Sequence, residues 1–235
     1  MAYPEKEMSL LENPVWHALQ TKHQHLAIRS ADDQACRYPA DVAPFVALAE
    51  PSKDALRQLA SLLAQGETVW LIGDGFPAVE ELYFEGTLEC PQLLLPDEVV
   101  PGAHAAGCVQ LSGASASEMV ALTDLAYPGF FRPRTCEMGE YFGVRAEDGQ
   151  LVAMGGERLM LEGYAEISGV CTNPLHRGKG LATNLIWKLV ERHRRNGLKS
   201  FLHVVTTNRN AIKLYLDLGF QECGRVTLHQ TRLRD

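Results

Sequence analysis

Residues 166–182 of this chain read EISGVCTNPLHRGKGLA and decide its fold. Residues 166–172 have the composition of a strand, and the Asn-Pro pair after them turns the chain. Residues 178–196 then show the periodicity of an amphipathic helix, which a following glycine ends. The apolar stripe of this helix comprises Leu181, Leu185, Ile186, Leu189 and Val190. We therefore expect a strand, a glycine-rich turn and a long helix in direct succession.

The glycine-rich turn has the chemistry of an anion-binding site. The start of a helix presents unpaired backbone N–H groups and the positive end of the helix dipole to an anion. Gly178, Gly180 and Ala182 are small enough to let a pyrophosphate approach the backbone. Arg177 and Lys179 add positive charge to this part of an acidic chain. The turn therefore predicts a diphosphate ligand.

Two common phosphate motifs do not match this turn. The sequence has no Gly-x-x-x-x-Gly-Lys-Ser/Thr loop, and no third glycine completes the dinucleotide fingerprint after Gly178 and Gly180. From these residues alone, a basic, glycine-rich helix start that binds nothing is equally consistent with the pattern.

The segments around this unit also alternate between strand and helix patterns. After it come a strand at residues 201–205 and a helix at residues 208–218, so at least one parallel crossover is expected. Before it, residues 141–145 and 150–158 are predicted to form a hairpin around the Glu-Asp-Gly turn at residues 147–149.

The N-terminal part of the chain carries weaker signals. Asn13 followed by Pro14 predicts a helix start, and Gly66 is placed to end a second helix. Residues 127–131, which are rich in aromatic side chains, are predicted to floor a substrate pocket. We place a domain boundary at residues 100–106. The predicted elements before the hairpin are helices at 13–20 and 52–65, strands at 68–72, 93–95 and 108–111, and a helix at 115–126.

Two motifs at this separation together resemble the GNAT acetyltransferase superfamily. Its cofactor motif, Gln/Arg-x-x-Gly-x-Gly/Ala, is matched by Arg177, Gly180 and Ala182. Its later signature, an Asn-x-x-Ala turn followed by Leu-Tyr and then Gly-Phe, is matched by Asn208, Ala211, Leu214, Tyr215, Gly219 and Phe220. The resemblance is clear over residues 141–220 and weaker back to residue 108, and we claim none before residue 100.

The resemblance implies an α/β fold with a mixed, splayed β-sheet flanked by helices, the GNAT acyl-CoA acyltransferase fold. We expect the acetyltransferase domain at residues 105–235 and an α/β domain at residues 1–104. A further hypothesis makes the N-terminal domain a degenerate copy of the same fold, with the acceptor entering between the two lobes. The sheet would open after residues 166–172, so that the pantetheine arm of the cofactor lies there like an added strand.

The activity implied by the resemblance is N-acetyl transfer from acetyl-CoA to a primary amine, by direct attack in a ternary complex. The backbone N–H of Val170 would polarise the thioester carbonyl. Tyr215 would protonate the coenzyme A sulfur, and Glu166, with its pKa raised at a cleft, would deprotonate the amine directly or through water. The implied cofactor-binding residues are Val170, Cys171, Thr172, Arg177, Gly178, Lys179, Gly180, Leu181, Ala182 and Asn208.

Each of these roles has a structural alternative. Tyr215 lies on the apolar stripe of its helix and could be a core tyrosine. Glu166 could face solvent, or bind a cationic acceptor without taking its proton. Asn208 could cap its helix, and Cys171 is more readily a packing thiol than a nucleophile. His203 is interpreted as a core histidine with satisfied hydrogen bonds. The alternative function is a non-catalytic module that senses acyl-CoA.

Composition restricts the remaining classes of function. A net charge of −7 argues against a nucleic-acid-binding protein. The six cysteines include no Cys-x-x-Cys pair, and the pair His23 and His25 lacks a third ligand, so no metal is expected. No signal peptide or membrane-spanning run is apparent, so we expect a cytoplasmic protein. A homodimer is expected as the commonest oligomeric state of soluble proteins. The expected acceptor is a small-molecule or peptide amine, and the acidic balance favours a cationic one with some apolar surface.

Overall fold

The computed structural model describes residues 10–102, 107–126 and 128–234. The helices of this part are α1 (Pro14–Gln20), α2 (Lys53–Ser61), α3 (Ala116–Asp124), α4 (Leu181–Arg195) and α5 (Arg209–Asp217). Short 3-10 turns occur at Gln24–Leu26, Gly113–Ser115, Thr135–Glu137 and Pro174–His176. The strands are β1 (Ile28–Arg29), β2 (Ala35–Arg37), β3 (Phe45–Leu48), β4 (Thr68–Ile72), β5 (Leu82–Leu94), β6 (Val109–Leu111), β7 (Tyr141–Arg145), β8 (Leu151–Leu161), β9 (Tyr164–Thr172), β10 (Lys199–His203) and β11 (Gln221–Leu233).

These eleven strands of the described residues form one mixed sheet, in the order β1-β2-β3-β4-β11-β5-β10-β9-β8-β7-β6. Two neighbouring pairs are parallel, β3 with β4 and β9 with β10. Each parallel pair is joined by a crossover helix, α2 in the first case and α4 in the second. The other pairs are antiparallel. The predicted fold class, a mixed α/β sheet flanked by helices, is therefore confirmed.

The long strands β5 and β11 are exchanged: each lies between two strands that come from the other half of the chain. β5 has 13 residues and follows β4 in the chain, but it lies between β10 and β11. β11 also has 13 residues and follows α5, but it lies between β4 and β5. The N-terminal and C-terminal strands thus share one hydrogen-bonded sheet. The predicted boundary at residue 104 lies outside the described residues, and the division into two domains stays a prediction.

The sheet opens between β9 and β10. Among the described strands, β9 pairs with β10 only over residues 164–166. Residues 167–172 of β9 continue to pair with β8, while the end of β10 pairs with β5. The register between β8 and β9 shifts at this point, and Gly169 takes a φ of 63°, which glycine tolerates well. The splayed sheet implied by the resemblance is therefore confirmed.

Side chains of β10 alternate between two hydrophobic cores, one on each face of the sheet. Phe201 belongs to the cluster that contains Val15 and Leu19 of α1. Leu202 belongs to the cluster that contains Leu185 of α4. This alternation is the two-residue period of a strand. A third cluster packs α2 against β3 and β4. Because α1 comes from the N-terminal half, that half supports strands on which the C-terminal site is built.

Several element boundaries differ from the predicted ones. The strand predicted at 93–95 is only the end of β5, and no pattern predicted β11. β5 is hard to recognise from the sequence because Glu85 and Glu89 are exposed and because Pro91 has no backbone N–H to donate. The helix predicted from residue 178 begins at Leu181, after the two glycines of the turn. The helix predicted to reach residue 65 ends at Ser61. The strand at 141–145 is confirmed to the residue.

Candidate active site

The glycine-rich turn lies at the N-terminus of α4. Gly178 and Gly180 have φ values of 78° and 73°, in the left-handed region that favours glycine. Gly180 is the N-cap residue, and no side chain of the described chain caps this helix end. The first turn carries no acidic residue, while Arg177 and Lys179 are exposed beside it. Unsatisfied N–H groups, the helix dipole and two cations are thus available to one anion.

The edge of β9 that faces the opening carries Val170, Cys171 and Thr172. These residues are half-buried, whereas the first four residues of β9 are buried. They lie beyond the last pair with β10, so an extended ligand can be added beside them as a further strand. Arg177 Nε donates to the Thr172 carbonyl oxygen at 3.4 Å. This hydrogen bond links the glycine-rich turn to the open strand edge.

A cavity of about 180 Å³ lies beside this strand edge. Val170 and Cys171 border it from β9, and Asn208 and Tyr215 border it from the region of α5. β5 contributes Leu88 and Cys90 to the wall, so the exchanged strand forms part of the site. The cavity therefore joins both halves of the sheet to the predicted cofactor strand.

Aromatic side chains close one side of the cavity. Phe130 stacks on Trp70 with ring centroids 5.4 Å apart, and Phe131 meets Tyr141 edge to face at 5.3 Å. Phe130 and Phe131 of the aromatic loop border the cavity, as does Tyr141 of β7, and the role of the loop as the floor of a substrate pocket stays a prediction. Tyr127, which belongs to the same predicted loop, lies outside the described residues.

Tyr215 and Asn208 both make structural contacts and also border the cavity. Tyr215 is 8% exposed, borders the cavity and packs edge to face on Phe220, with ring centroids 5.8 Å apart. It is thus a core residue whose ring also reaches the site. The Asn208 side chain accepts a hydrogen bond from Ala211 N at 3.2 Å and caps α5. Its capping alternative is confirmed, and its cofactor contact stays a prediction.

Glu166 does not face the cleft, and the expectation of a raised pKa is wrong. The side chain is fully buried and accepts hydrogen bonds from Arg158 Nε at 2.9 Å, from Arg158 Nη2 and from His203 Nδ1 at 2.8 Å. Burial alone would raise its pKa, but the charge of Arg158 and the contact with His203 outweigh burial and lower the pKa to about 2. This environment does not favour proton abstraction by Glu166.

The architecture and the two motifs match known proteins. A sequence model of the Acetyltransferase (GNAT) family matches residues 115–220. A crystal structure of a GNAT-family protein from Novosphingobium aromaticivorans is 31% identical, with a TM-score of 0.85 over 96% of this chain and 99% of that chain. This chain belongs to the GNAT acetyltransferase family. Members of the family transfer acyl groups from acyl-CoA.

Two further relatives match this GNAT chain at lower identity or over a shorter stretch. A GCN5-related N-acetyltransferase from Kribbella flavida is 17% identical, with a TM-score of 0.59 over 91% of this chain and 95% of that chain, and shows the fold alone. The uncharacterized N-acetyltransferase YobR of Bacillus subtilis is 33% identical over 76 residues. That alignment covers 32% of this chain and 30% of the relative, so this GNAT chain matches less than a third of YobR.

The inner wall of the GNAT site contains a histidine that borders the cavity. His203 Nδ1 lies 2.8 Å from Glu166 Oε1, and His203 Nε2 lies 2.8 Å from Gln92 Nε2. Gln92 Nε2 also donates to the Leu11 carbonyl oxygen at 2.9 Å. These contacts match a neutral imidazole that donates from Nδ1 and accepts at Nε2. His203 is thus satisfied as expected, but it lies at the site and not in a remote core.

Sequence reasoning missed Arg158, which borders the cavity of the GNAT chain and holds Glu166. Arg158 falls at the end of the strand predicted at 150–158 and Glu166 at the start of the next one. A hairpin between them would bring the two side chains near each other. The register shift between β8 and β9 within residues 157–160 hides this pairing from the sequence.

Cys171 has the surroundings of a packing thiol in this GNAT chain. Burial raises the pKa of its thiol to about 12. A nucleophilic cysteine needs the opposite shift, because the thiolate is the reactive form. These surroundings do not favour Cys171 as a nucleophile.

Among residues 10–102, 107–126 and 128–234, no group of three or more His, Cys, Asp or Glu side chains could hold a metal ion. His23 is buried, and its Nδ1 lies 2.7 Å from the Tyr38 hydroxyl oxygen. Burial lowers the pKa of His23 to about 4. No helix within those three segments has the length and apolarity needed to cross a bilayer.

Proposed function

We propose that this chain transfers an acetyl group from acetyl-CoA to a primary amine, in a ternary complex without a covalent enzyme intermediate. The opening of the sheet after Glu166 carries this proposal, because it leaves a strand edge beside an uncapped, glycine-rich helix start. The membership of the GNAT family supports acyl-CoA as the donor.

The chain offers separate contacts for the two ends of the donor. The pyrophosphate binds the turn at Gly178 and Gly180, where free N–H groups and the dipole of α4 meet the exposed Arg177 and Lys179. The pantetheine arm lies along the open edge of residues 170–172 by β-augmentation. The thioester then reaches the cavity that Val170 and Tyr215 border.

The transfer step needs three contributions from the protein. The amine nitrogen attacks the thioester carbonyl carbon, and the Val170 N–H stabilises the charge that develops on the carbonyl oxygen. The C–N bond forms, the C–S bond breaks, and the Tyr215 hydroxyl gives its proton to the departing thiolate. The nitrogen loses its proton to water, and Tyr215 is reprotonated from water. The products are an acetamide and the free thiol of coenzyme A.

Glu166 has a positioning role in this proposal. Both of its oxygens are engaged by Arg158 and His203, and no part of the side chain is exposed. A carboxylate in such a network orients its partners more effectively than it removes a proton from an ammonium group. Water is therefore assigned as the first proton acceptor in place of Glu166.

The proposal is tested by following free thiol release from acetyl-CoA in the presence of a panel of primary amines. Tyr215→Phe is expected to lower kcat roughly 10²-fold, because the phenol supplies the proton to the leaving group. Its affinity for acetyl-CoA, measured by isothermal titration, is expected to stay within twofold of the wild type. The hydroxyl-free ring keeps the packing on Phe220, so a loss of folding is not expected.

Two outcomes would change the conclusion. Thiol release that never exceeds the rate without enzyme, from protein that binds acetyl-CoA, would favour a sensor of acyl-CoA. An unchanged kcat in Tyr215→Phe would leave the transferase intact but remove Tyr215 as the acid.

A further inference from the structure

The cavity has a single formally charged side chain in its wall, as far as the described residues go, and it is Arg158. The remaining wall is apolar or carries neutral polar groups, with His203 held by Glu166 and Gln92. The Arg158 side chain is 19% exposed, so its charge is poorly solvated. Glu166 already shares this charge, but a hydrogen bond that the guanidinium group donates to an anionic ligand is strengthened because little water competes for it.

Arg158 has one edge of its guanidinium group unused. Nε and Nη2 bind the two oxygens of Glu166 as a bidentate pair. Nη1 makes no hydrogen bond to any residue in the parts of the chain that the structure describes. The ring of Phe45 lies 4.9 Å from Cζ and covers one face of the group. The edge between Nη1 and Nη2 therefore has the fork geometry that matches a second carboxylate.

A second buried Arg–Glu pair shows what a purely structural guanidinium looks like in this protein. Arg37 is 4% exposed and binds Glu67 through Nη1 at 2.7 Å and through Nη2. Its Nε donates to the Tyr38 carbonyl oxygen at 3.0 Å, and its Nη1 also donates to the Leu62 carbonyl oxygen at 2.9 Å. All three nitrogens of Arg37 are thus engaged. Arg158 differs because its Nη1 is left over and the residue borders the cavity.

The rest of the cavity fixes the kind of molecule that would use this edge. Phe130, Phe131 and Leu228 give it an apolar interior, and Val170 and Tyr215 mark the end where the thioester is expected. We propose that the acceptor is a small free amino acid with an apolar body, whose carboxylate binds the Nη1–Nη2 edge of Arg158 and whose amine faces Val170. This proposal rests on the proposed function, since it uses the same cavity. It replaces the cationic acceptor that the net charge of the chain favours.

The first test measures binding, so that it does not depend on turnover. Phenylalanine, leucine and methionine are each titrated into protein saturated with coenzyme A, alongside their amides and the corresponding decarboxylated amines. Each set has one apolar body and one amine, and only the carboxylate changes. We expect the free acid of at least one set to bind at least tenfold more tightly than its amide and its amine. Equal affinities within all three sets, or no binding by any free acid, would overturn the proposal.

The second test removes the recognising group without leaving a buried charge unpaired. Arg158→Met/Glu166→Gln replaces both partners, which is milder than removing one of them. This variant is expected to bind acid, amide and amine equally while retaining its affinity for coenzyme A. Arg145→Met/Glu118→Gln is the matched control, because Arg145 Nη1 and Nη2 bind Glu118 at 2.7 and 3.1 Å on the surface. A carboxylate preference that persists in Arg158→Met/Glu166→Gln would contradict the assignment.

These experiments distinguish failure of the transferase proposal from failure of the proposed carboxylate site. Carboxylate-dependent binding without thiol release would remove the transferase proposal but retain the recognition site. Thiol release with amides or amines at the same kcat/KM as with free acids would retain the transferase and remove the recognition site. A dipeptide that begins with the preferred amino acid serves as a further probe, since its first residue lacks a free carboxylate. Tighter binding of the dipeptide than of the free amino acid would also count against the proposal.

Discussion

The two parallel crossovers of the sheet have the same topology and opposite helix starts. In β3–α2–β4, the Ser52 side chain accepts a hydrogen bond from Ala55 N at 3.1 Å, and Asp54 lies in the first turn. In β9–α4–β10, the N-cap is Gly180, no side chain of the described residues caps the helix, and the first turn has no acidic residue. The first helix has one of its free N–H groups capped by a side chain and an acidic residue at the positive end of its dipole, whereas the second has neither.

The strands that precede these two helices differ in how far their residues are buried. All four residues of β3 are buried, whereas the last five of β9 are half-exposed along the open edge. The chain also runs from β4 to β5 without a helix, whereas α5, with Tyr215, connects β10 to β11. A parallel pair, a crossover helix and a long exchanged strand thus occur in both halves, which supports the hypothesis of a degenerate copy. The uncapped helix start and the half-exposed strand edge occur only in the C-terminal of these two crossovers.

The largest expected effect comes from separating the halves. Residues 105–235 alone would lack β5, which lies between β10 and β11, and α1, which covers Phe201. We expect this fragment to show no cooperative thermal unfolding by circular dichroism and no binding of acetyl-CoA. Mixing it with separately produced residues 1–104 provides the control and should restore part of both signals. A fragment that folds and binds alone would show that the halves are independent.

The second largest effect is expected from the buried ion pairs, which should contribute differently to the stability of the two halves. Glu166→Gln leaves Arg158 without a charged partner and is expected to cost about 3–5 kcal/mol at pH 7. Because the folded pKa of Glu166 is about 2, below its unfolded value, its contribution is present above pH 5 and fades as the pH falls towards 2. The gap between wild type and variant in urea unfolding should therefore narrow with acid.

Glu67→Gln is the matched control for this prediction. The hydrogen bond from Arg37 lowers the pKa of Glu67 as well, but the Glu67 side chain is 18% exposed, so water can replace part of the lost contact. We expect a smaller loss of stability than for Glu166→Gln. Equal losses at pH 7, or parallel pH curves for wild type and Glu166→Gln, would show that burial of Glu166 matters less than the structure indicates.

The sequence predicted the crossover that carries the site more fully than the exchanged strands. Within β9–α4–β10, periodicity and glycine chemistry are local, so residues 166–196 reveal the strand, the turn and the helix. β5 and β11 pair across more than a hundred residues, and Pro91 and exposed Glu85 break the alternation in β5. The contacts among Arg158, Glu166 and His203 depend on the register of three strands, which no single segment encodes.

The glycine-rich turn provides a smaller and more specific test of the comparison. Arg177→Ala/Gly180→Glu removes one cation and places a carboxylate at the free end of α4, so we expect acetyl-CoA affinity to fall about tenfold or more, or at least about 1.4 kcal/mol. Isothermal titration measures the affinity, and thermal unfolding checks that the variant is folded. Lys53→Ala removes an exposed cation from the start of α2 and should leave the affinity unchanged. An equal loss in both variants would mean that long-range charge, and not the turn, attracts the donor.

The smallest expected effect comes from the capped helix start. Ser52→Ala removes the side chain that satisfies Ala55 N, and such N-cap replacements cost about 1 kcal/mol of stability. Acetyl-CoA affinity should not change, because α2 borders no part of the cavity. Urea unfolding and isothermal titration of the same preparation separate the two quantities. If Ser52→Ala weakened acetyl-CoA binding without loss of stability, the start of α2 would be a second ligand site, and the contrast between the two crossovers would fail.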